Sequence, residues 1–177
     1  MKSMTRAELD ALLEVAARHS KRDALLFLVI FNHGLRISEA VPGPDTPGLT
    51  RENIVDGFLV VQRLKGSRKT VQPLLENEKQ GLLELAATRG AGVSLFPLSR
   101  ATAWRRIKEY GLEAGIPEHK LTPHKLKHTT GRLGYEGGMG VPELQKYLGH
   151  VNGKNTLVYL EASEEAACNA FAAAVAK

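Results

Sequence analysis

The stretch "ALLFLVIF" at residues 24–31 constrains this chain more than any other. Eight apolar residues in succession leave no polar face, so a helix there must be surrounded by other elements. The run is too short to span a membrane. "NHG" stops it, with Gly34 placed as a left-handed cap. A buried helix from Asp23 to about Phe31 is therefore expected at the centre of a globular domain. The 177 residues suffice for one such domain without disulfides or metals. The one cysteine, Cys168, excludes an internal disulfide and points to a reducing compartment. The opening "MKSMTRAELD" lacks the apolar core of a signal peptide, so a cytoplasmic protein with no membrane partner is expected.

The elements around that helix can be read from caps and periodicity. Thr5 with Glu8 forms a capping-box pattern ahead of Leu9, Leu12, Leu13 and Ala16 at helical spacing. "RISEAV" reads as a short helix, followed by the loop "PGPDTPG". "GFLVVQRL" and "KTVQPLL" are rich in β-branched residues and flank the polar turn "KGSR", so residues 57–75 read as a hairpin. Everything later is helical: "ENEKQGLLELAATR", "SRATAWRRIKEYGLEAG" with a Ser cap, "TPHKLKHTTGRLGYEGG" with Thr122 as cap and Pro123 at the first position, "VPELQKYLG", and an Ala-rich tail. The expected fold class is mainly α with a small antiparallel β-sheet (α+β), in one domain over 1–177.

Charge is concentrated. From Arg100 to Arg132 eight lysines and arginines stand against three acids, a net +5 that equals the net charge of the whole chain. Such a stretch suits a phosphate-backbone binder, or it is a solvated basic face; charge alone leaves both readings open.

Four segments each set a phosphate-compatible residue beside a structural stop. Arg36 follows the glycine cap, Lys65 sits in the hairpin turn, His124 and Lys127 share one helical face, and His150 follows "LG" nine residues before Tyr159. Singly, each has a commonplace structural reading. In order, "HGLRISEA", "RLKGSRKTVQPL", "HKLKH", "YLGH" and "NTLVY" resemble the signatures of the tyrosine recombinases, the integrase and invertase family of site-specific DNA recombinases. The resemblance spans about Thr5 to Tyr159, the length of that family's catalytic domain.

The resemblance implies a catalytic-domain core over 1–162 and a C-terminal helix over 163–177. It implies that Arg36, Lys65, His124, Lys127, His150 and Tyr159 are catalytic, Tyr159 as nucleophile, with Glu39 and His128 supporting. Arg63, Arg68, Lys69, Arg100, Arg105, Arg106 and Lys125 are the expected DNA contacts. Double-stranded DNA is the expected partner, with a homotetramer forming on it and accessory DNA-bending proteins as further partners. Phosphodiester chemistry fits these residue types. A tyrosyl oxygen holds its proton near pH 7, so attack needs cations placed where charge builds up on phosphorus-bound oxygens. Arg36 supplies a planar fork for two oxygens. His124 is suited to assist removal of the tyrosyl proton, and Lys65 to protonate the departing 5′ oxygen. The expected product is a 3′-phosphotyrosyl DNA with a free 5′ hydroxyl. No cofactor and no metal is expected: there is no carboxylate cluster for two-metal catalysis and no phosphate-binding glycine loop.

Two departures from the family pattern stand out. The fourth position of the "HxLRH"-like motif is normally arginine, and here it is Lys127, which keeps charge but not the bidentate grip. An active enzyme of reduced rate and a DNA-binding protein of the same fold both remain open; a relaxing enzyme of the type IB topoisomerase kind is a third reading. Most family members carry an N-terminal core-binding domain; none is expected in this chain, whose layout resembles the compact fimbrial-type invertases, though it equally suits a piece of a longer protein. The tail, anchored by Ala170, Phe171 and Val175, packs either on its own domain or on a neighbouring subunit.

Overall fold

The computed structural model describes residues 3–64 and 66–157. Two helices open the chain, α1 (Arg6–His19) and α2 (Lys21–His33), followed by the single turn α3 (Ile37–Ala40). A three-stranded antiparallel sheet follows in the order β1 (Ile54–Val55), β2 (Phe58–Val61), β3 (Thr70–Pro73). Then come α4 (Glu76–Ala87), α5 (Arg100–Glu113), α6 (Pro123–Glu136), α7 (Val141–Leu148) and the start of α8 (Lys154–Leu157). Mainly helical with a small sheet, the architecture agrees with the sequence reading.

The all-apolar helix is where the elements converge. α2 packs against α1, α3, α4, α5 and α6. Leu26, Phe27, Val29 and Ile30 are buried, and of all its residues only Lys21 is exposed. Its N-terminus is capped by the Ser20 hydroxyl, which accepts from the Asp23 N–H. At its other end Gly34 has φ +57°, closing the helix in the left-handed conformation. The expected capping box of α1 is present in both halves, Thr5 with Glu8. The Ser99 and Thr122 hydroxyls likewise cap α5 and α6.

The sheet differs from expectation in two respects. β1 was not foreseen, because two residues carry too little periodicity. Its link to β2 is legible, however: Asp56 (φ 49°) and Gly57 (φ 81°) form the two-residue turn that matches strand twist. The second is that the turn foreseen at "KGSR", where the Ser67 N–H donates to Leu64 O at 3.3 Å, lies within a longer connection between β2 and β3. Pairing ends at Val61 with Thr70, leaving a loop over 62–69. The ladder stops because Arg63 turns inward and the Leu64 N–H donates to Glu39 instead of a strand. Pro73 is tolerated because β3 is an edge strand.

Gly34 fixes where α2 releases the chain toward Arg36. A Cβ there would run into Leu148 Cδ2 on α7, in a backbone conformation that disfavours side chains. Gly34→Ala should therefore cost about 2–4 kcal/mol, combining left-handed strain with overpacking. Urea denaturation measures this.

Candidate active site

One carboxylate organises the site. Glu39, on α3, is 4% exposed and accepts four hydrogen bonds. They come from the Arg36 N–H (2.8 Å) and guanidinium (2.8 Å), the Arg63 guanidinium (3.1 Å) and the Leu64 N–H (3.0 Å). Burial pushes its carboxyl upward, but Arg63, the two backbone donors and Lys127 more than offset this and hold it below the usual carboxylate range.

Arg63 is correspondingly not a DNA contact, and that expectation is corrected. It is 3% exposed, and its guanidinium donates to Glu39, Thr70 Oγ1, Gly34 O and His33 O. Those carbonyls are orphan acceptors at the end of α2, which a buried cation satisfies. Arg36 remains partly open. Besides Glu39 it reaches Leu64 O (3.2 Å) and Ser67 Oγ (3.2 Å), which binds it to the 62–69 loop. That loop is also joined to the end of α7, where the Arg68 N–H donates to Gly149 O at 3.0 Å.

Lys127 points inward. It is 6% exposed, and its Nζ is fully buried with no hydrogen-bond acceptor among the described residues. Burial and the neighbouring Arg36 and Arg63, only partly opposed by Glu39, lower its pKa to about 8. Arg36, Arg63 and Lys127 thus face one carboxylate whose oxygens are already engaged. Such a surplus of buried positive charge is costly alone and favourable beside an anion.

His150 follows the left-handed cap Gly149 and is 6% exposed, with Nδ1 at 3.0 Å from Thr156 Oγ1 on α8. Burial, then repulsion from Lys127, Arg36 and Arg63, lower its pKa to about 4. The ring is neutral at pH 7. His128 is half-buried on α6, and its pKa is also lowered, by burial first and then by Lys125, His124 and Lys127. The fold therefore brings Arg36, Glu39, Lys127 and His150 together around one buried point.

His124 is exposed, one helical turn before Lys127, and lines a cleft of about 520 Å³ together with Arg36, Arg100 and Trp104. Among the expected DNA contacts, Arg68 and Lys69 are exposed on the loop and Arg100 at the start of α5. Lys125 is half-buried on α6. Arg105 and Arg106 reach Glu109 on their own helix, and Arg106 also lies over the Tyr110 ring. Lys65, Tyr159 and the tail 163–177 lie outside the described residues. Among those described, no cluster of His, Cys, Asp or Glu is arranged to hold a metal ion, and no helix is long and apolar enough to cross a membrane.

A second buried network supports the site and was not anticipated. His33 at the end of α2 meets Glu78 Oε1 (2.6 Å) and Gln72 Oε1 (3.1 Å), and Asn32 donates to Glu78 Oε2 (2.9 Å). Gln72 donates to Tyr147 O, and the Tyr147 hydroxyl donates to Asn32 O at 2.6 Å. α2, β3, α4 and α7 are joined in this way. The only trace in sequence is a polar "NH" ending an apolar helix.

Three comparisons bear on the arrangement. The model of the phage integrase family matches residues 2–166. The chain is 34% identical over 171 residues to tyrosine recombinase XerA of Pyrococcus furiosus, covering 89% of this chain and 56% of XerA. It therefore spans just over half the length of that relative. It is 31% identical over 170 residues to the type 1 fimbriae regulatory protein FimE of Escherichia coli K12, covering 88% of this chain and 83% of FimE. The fold is that of a crystal structure of XerA recombinase, with a TM-score of 0.76 at 21% identity, covering 96% of this chain and 62% of that one.

Removing the organising carboxylate should be expensive. Glu39→Ala leaves Arg63 buried without its counter-charge and should cost about 3–5 kcal/mol in urea denaturation. The double variant Glu39→Ala/Arg63→Met should lose less than that single variant, because the uncompensated charge goes with it.

Proposed function

We propose, because the chain belongs to the phage integrase family, that it is a site-specific DNA recombinase working through a covalent 3′-phosphotyrosyl intermediate on Tyr159. The observation that carries this reading is the Lys127 ammonium, buried without an acceptor among the described residues and close enough to Arg36, Arg63 and His150 for their charges to act on one another. A buried cationic surplus on this scaffold fits a phosphodiester anion better than any neutral ligand.

The proposed reaction follows from the charges. Arg36, held by Glu39 on one side, presents its remaining donors to the non-bridging oxygens. Lys127 adds a compact charge where arginine would add a fork. Neutral His150 has Nδ1 turned to Thr156, which leaves the other ring nitrogen for the phosphate. Tyr159 attacks phosphorus as its proton leaves, assisted by His124; the P–O5′ bond breaks, and the 5′ oxygen takes a proton from Lys65 on the loop. A second 5′ hydroxyl reverses these steps onto a new strand, which conserves bond energy and needs no cofactor. Double-stranded DNA is the proposed partner, contacted by Arg68, Lys69, Arg100 and Lys125. A homotetramer on DNA is the proposed assembly, its subunits exchanging the tail 163–177.

A nicked duplex carrying a site selected from a random-sequence pool tests the chemistry. A covalent protein–DNA adduct is expected, and Tyr159→Phe should abolish it. An adduct that persists in Tyr159→Phe excludes that nucleophile. A selected duplex that is bound but never joined to the protein favours a DNA-binding protein without cleavage.

The site also predicts a pH dependence. Lys127 carries its charge below about pH 8 and loses it above. Cleavage measured as kcat/KM, which reports the free protein, should fall as pH rises through that value. One unit above it the fall should be about 10-fold. Lys127→Arg should remove this alkaline fall, because a guanidinium stays charged.

A further inference from the structure

The cleft beside the phosphate site has features that the charge chemistry leaves unused. Trp104, the only tryptophan in the chain, lines its wall and is 52% exposed. The indole N–H is directed at Leu121 O (3.4 Å), which anchors one edge of a ring that is about half exposed. Two fourteen-residue helices, α5 and α6, begin at this cleft, with Arg100 lining it from the first and Pro123 from the second. Their positive ends therefore meet there. No acidic residue is among those lining it, and its walls are mostly apolar. Arg36 lines this cleft and also meets Glu39 at the buried site, so the two are continuous, and His124, one helical turn before Lys127, lies in the cleft as well.

We propose that the cleft receives the nucleoside adjoining the reacting phosphate once its base has left the duplex stack, with that base stacked on the Trp104 indole and Arg100 facing the next phosphate along the strand. This rests on the phosphodiester reading above and extends it to a nucleoside subsite. An apolar wall with one half-exposed aromatic ring suits a base, while two cations, two helix N-termini and the absence of acids suit its flanking phosphates. Because every base has a π face, stacking here adds affinity and position without choosing the base. Trp104 is then a residue that positions the strand, and sequence selection lies elsewhere.

The single tryptophan supplies its own probe. The full chain is titrated with thymidine 3′,5′-bisphosphate, with deoxyribose 5-phosphate, and with inorganic phosphate. The indole N–H signal of Trp104 and the ring signals of His124 are followed by NMR. The bisphosphate should move both sets of signals, and the two base-free phosphates should move those of His124 alone. Trp104→Ala should weaken bisphosphate binding on the order of 10-fold, and Trp104→Phe should restore most of it. If His124 responds to all three ligands while the indole is silent, the nucleoside subsite is excluded and the phosphate site stands. If neither responds to any of them, both proposals fall. The wild-type titration decides this even where a variant does not fold.

Discussion

The geometry of the site depends on how the Glu39 carboxylate is shared. One oxygen holds the Arg36 guanidinium and the Leu64 N–H; the other holds Arg63 and the Arg36 N–H. Three chain segments are positioned by this one group: the turn after α2, α3 itself, and the loop leaving β2. Charge-assisted bonds in a dry environment are strong and directional, which is what a short helix needs to hold an arginine in a fixed place. Arg63 extends the arrangement to the last carbonyls of α2. The most apolar helix of the protein is thereby tied to the most polar point.

Helices and their ends were legible because their signals are local. Ser20, Ser99, Thr122 and Gly34 act within a turn of where they stand, and the apolar run of α2 gives its own burial. The hairpin was legible as two strands and a turn, but the length of the connection between the strands was not. What ends the ladder is a carboxylate more than twenty residues earlier, and no local pattern records it. Arg63 was misread for the same reason: as a basic residue beside a basic turn it resembles a DNA contact, and only the tertiary structure supplies Glu39. The pairing of His33 with Glu78 was equally out of reach, since residues 45 apart meet through the packing of α2 on α4.

Of the site itself, the resemblance to tyrosine recombinases implied that Arg36, Glu39, Lys127 and His150 act together, and the fold brings these four close to one another. Their ionisation was beyond sequence. A lysine on a basic helix would ordinarily be a solvated cation; Lys127 instead loses most of its water and has two guanidiniums nearby. The difference from arginine at this position is thus more than geometry. A guanidinium carries a fixed charge whatever its surroundings, whereas this amine carries one whose occupancy follows its neighbours and the solution.

The 41–48 loop, for which sequence suggested no role, acquires meaning from where it is anchored. Gly43 and Thr46 bridge to each other, and the Leu49 N–H returns to Ala40 O, so the segment closes on itself at the far end of α3. Of the hydrogen bonds that hold Arg36, Arg63 and His150, none passes through it. Gly48, whose backbone lies against that of Val41, seals its base. A change in the length of this loop would therefore leave the hydrogen bonds of the charged centre in place.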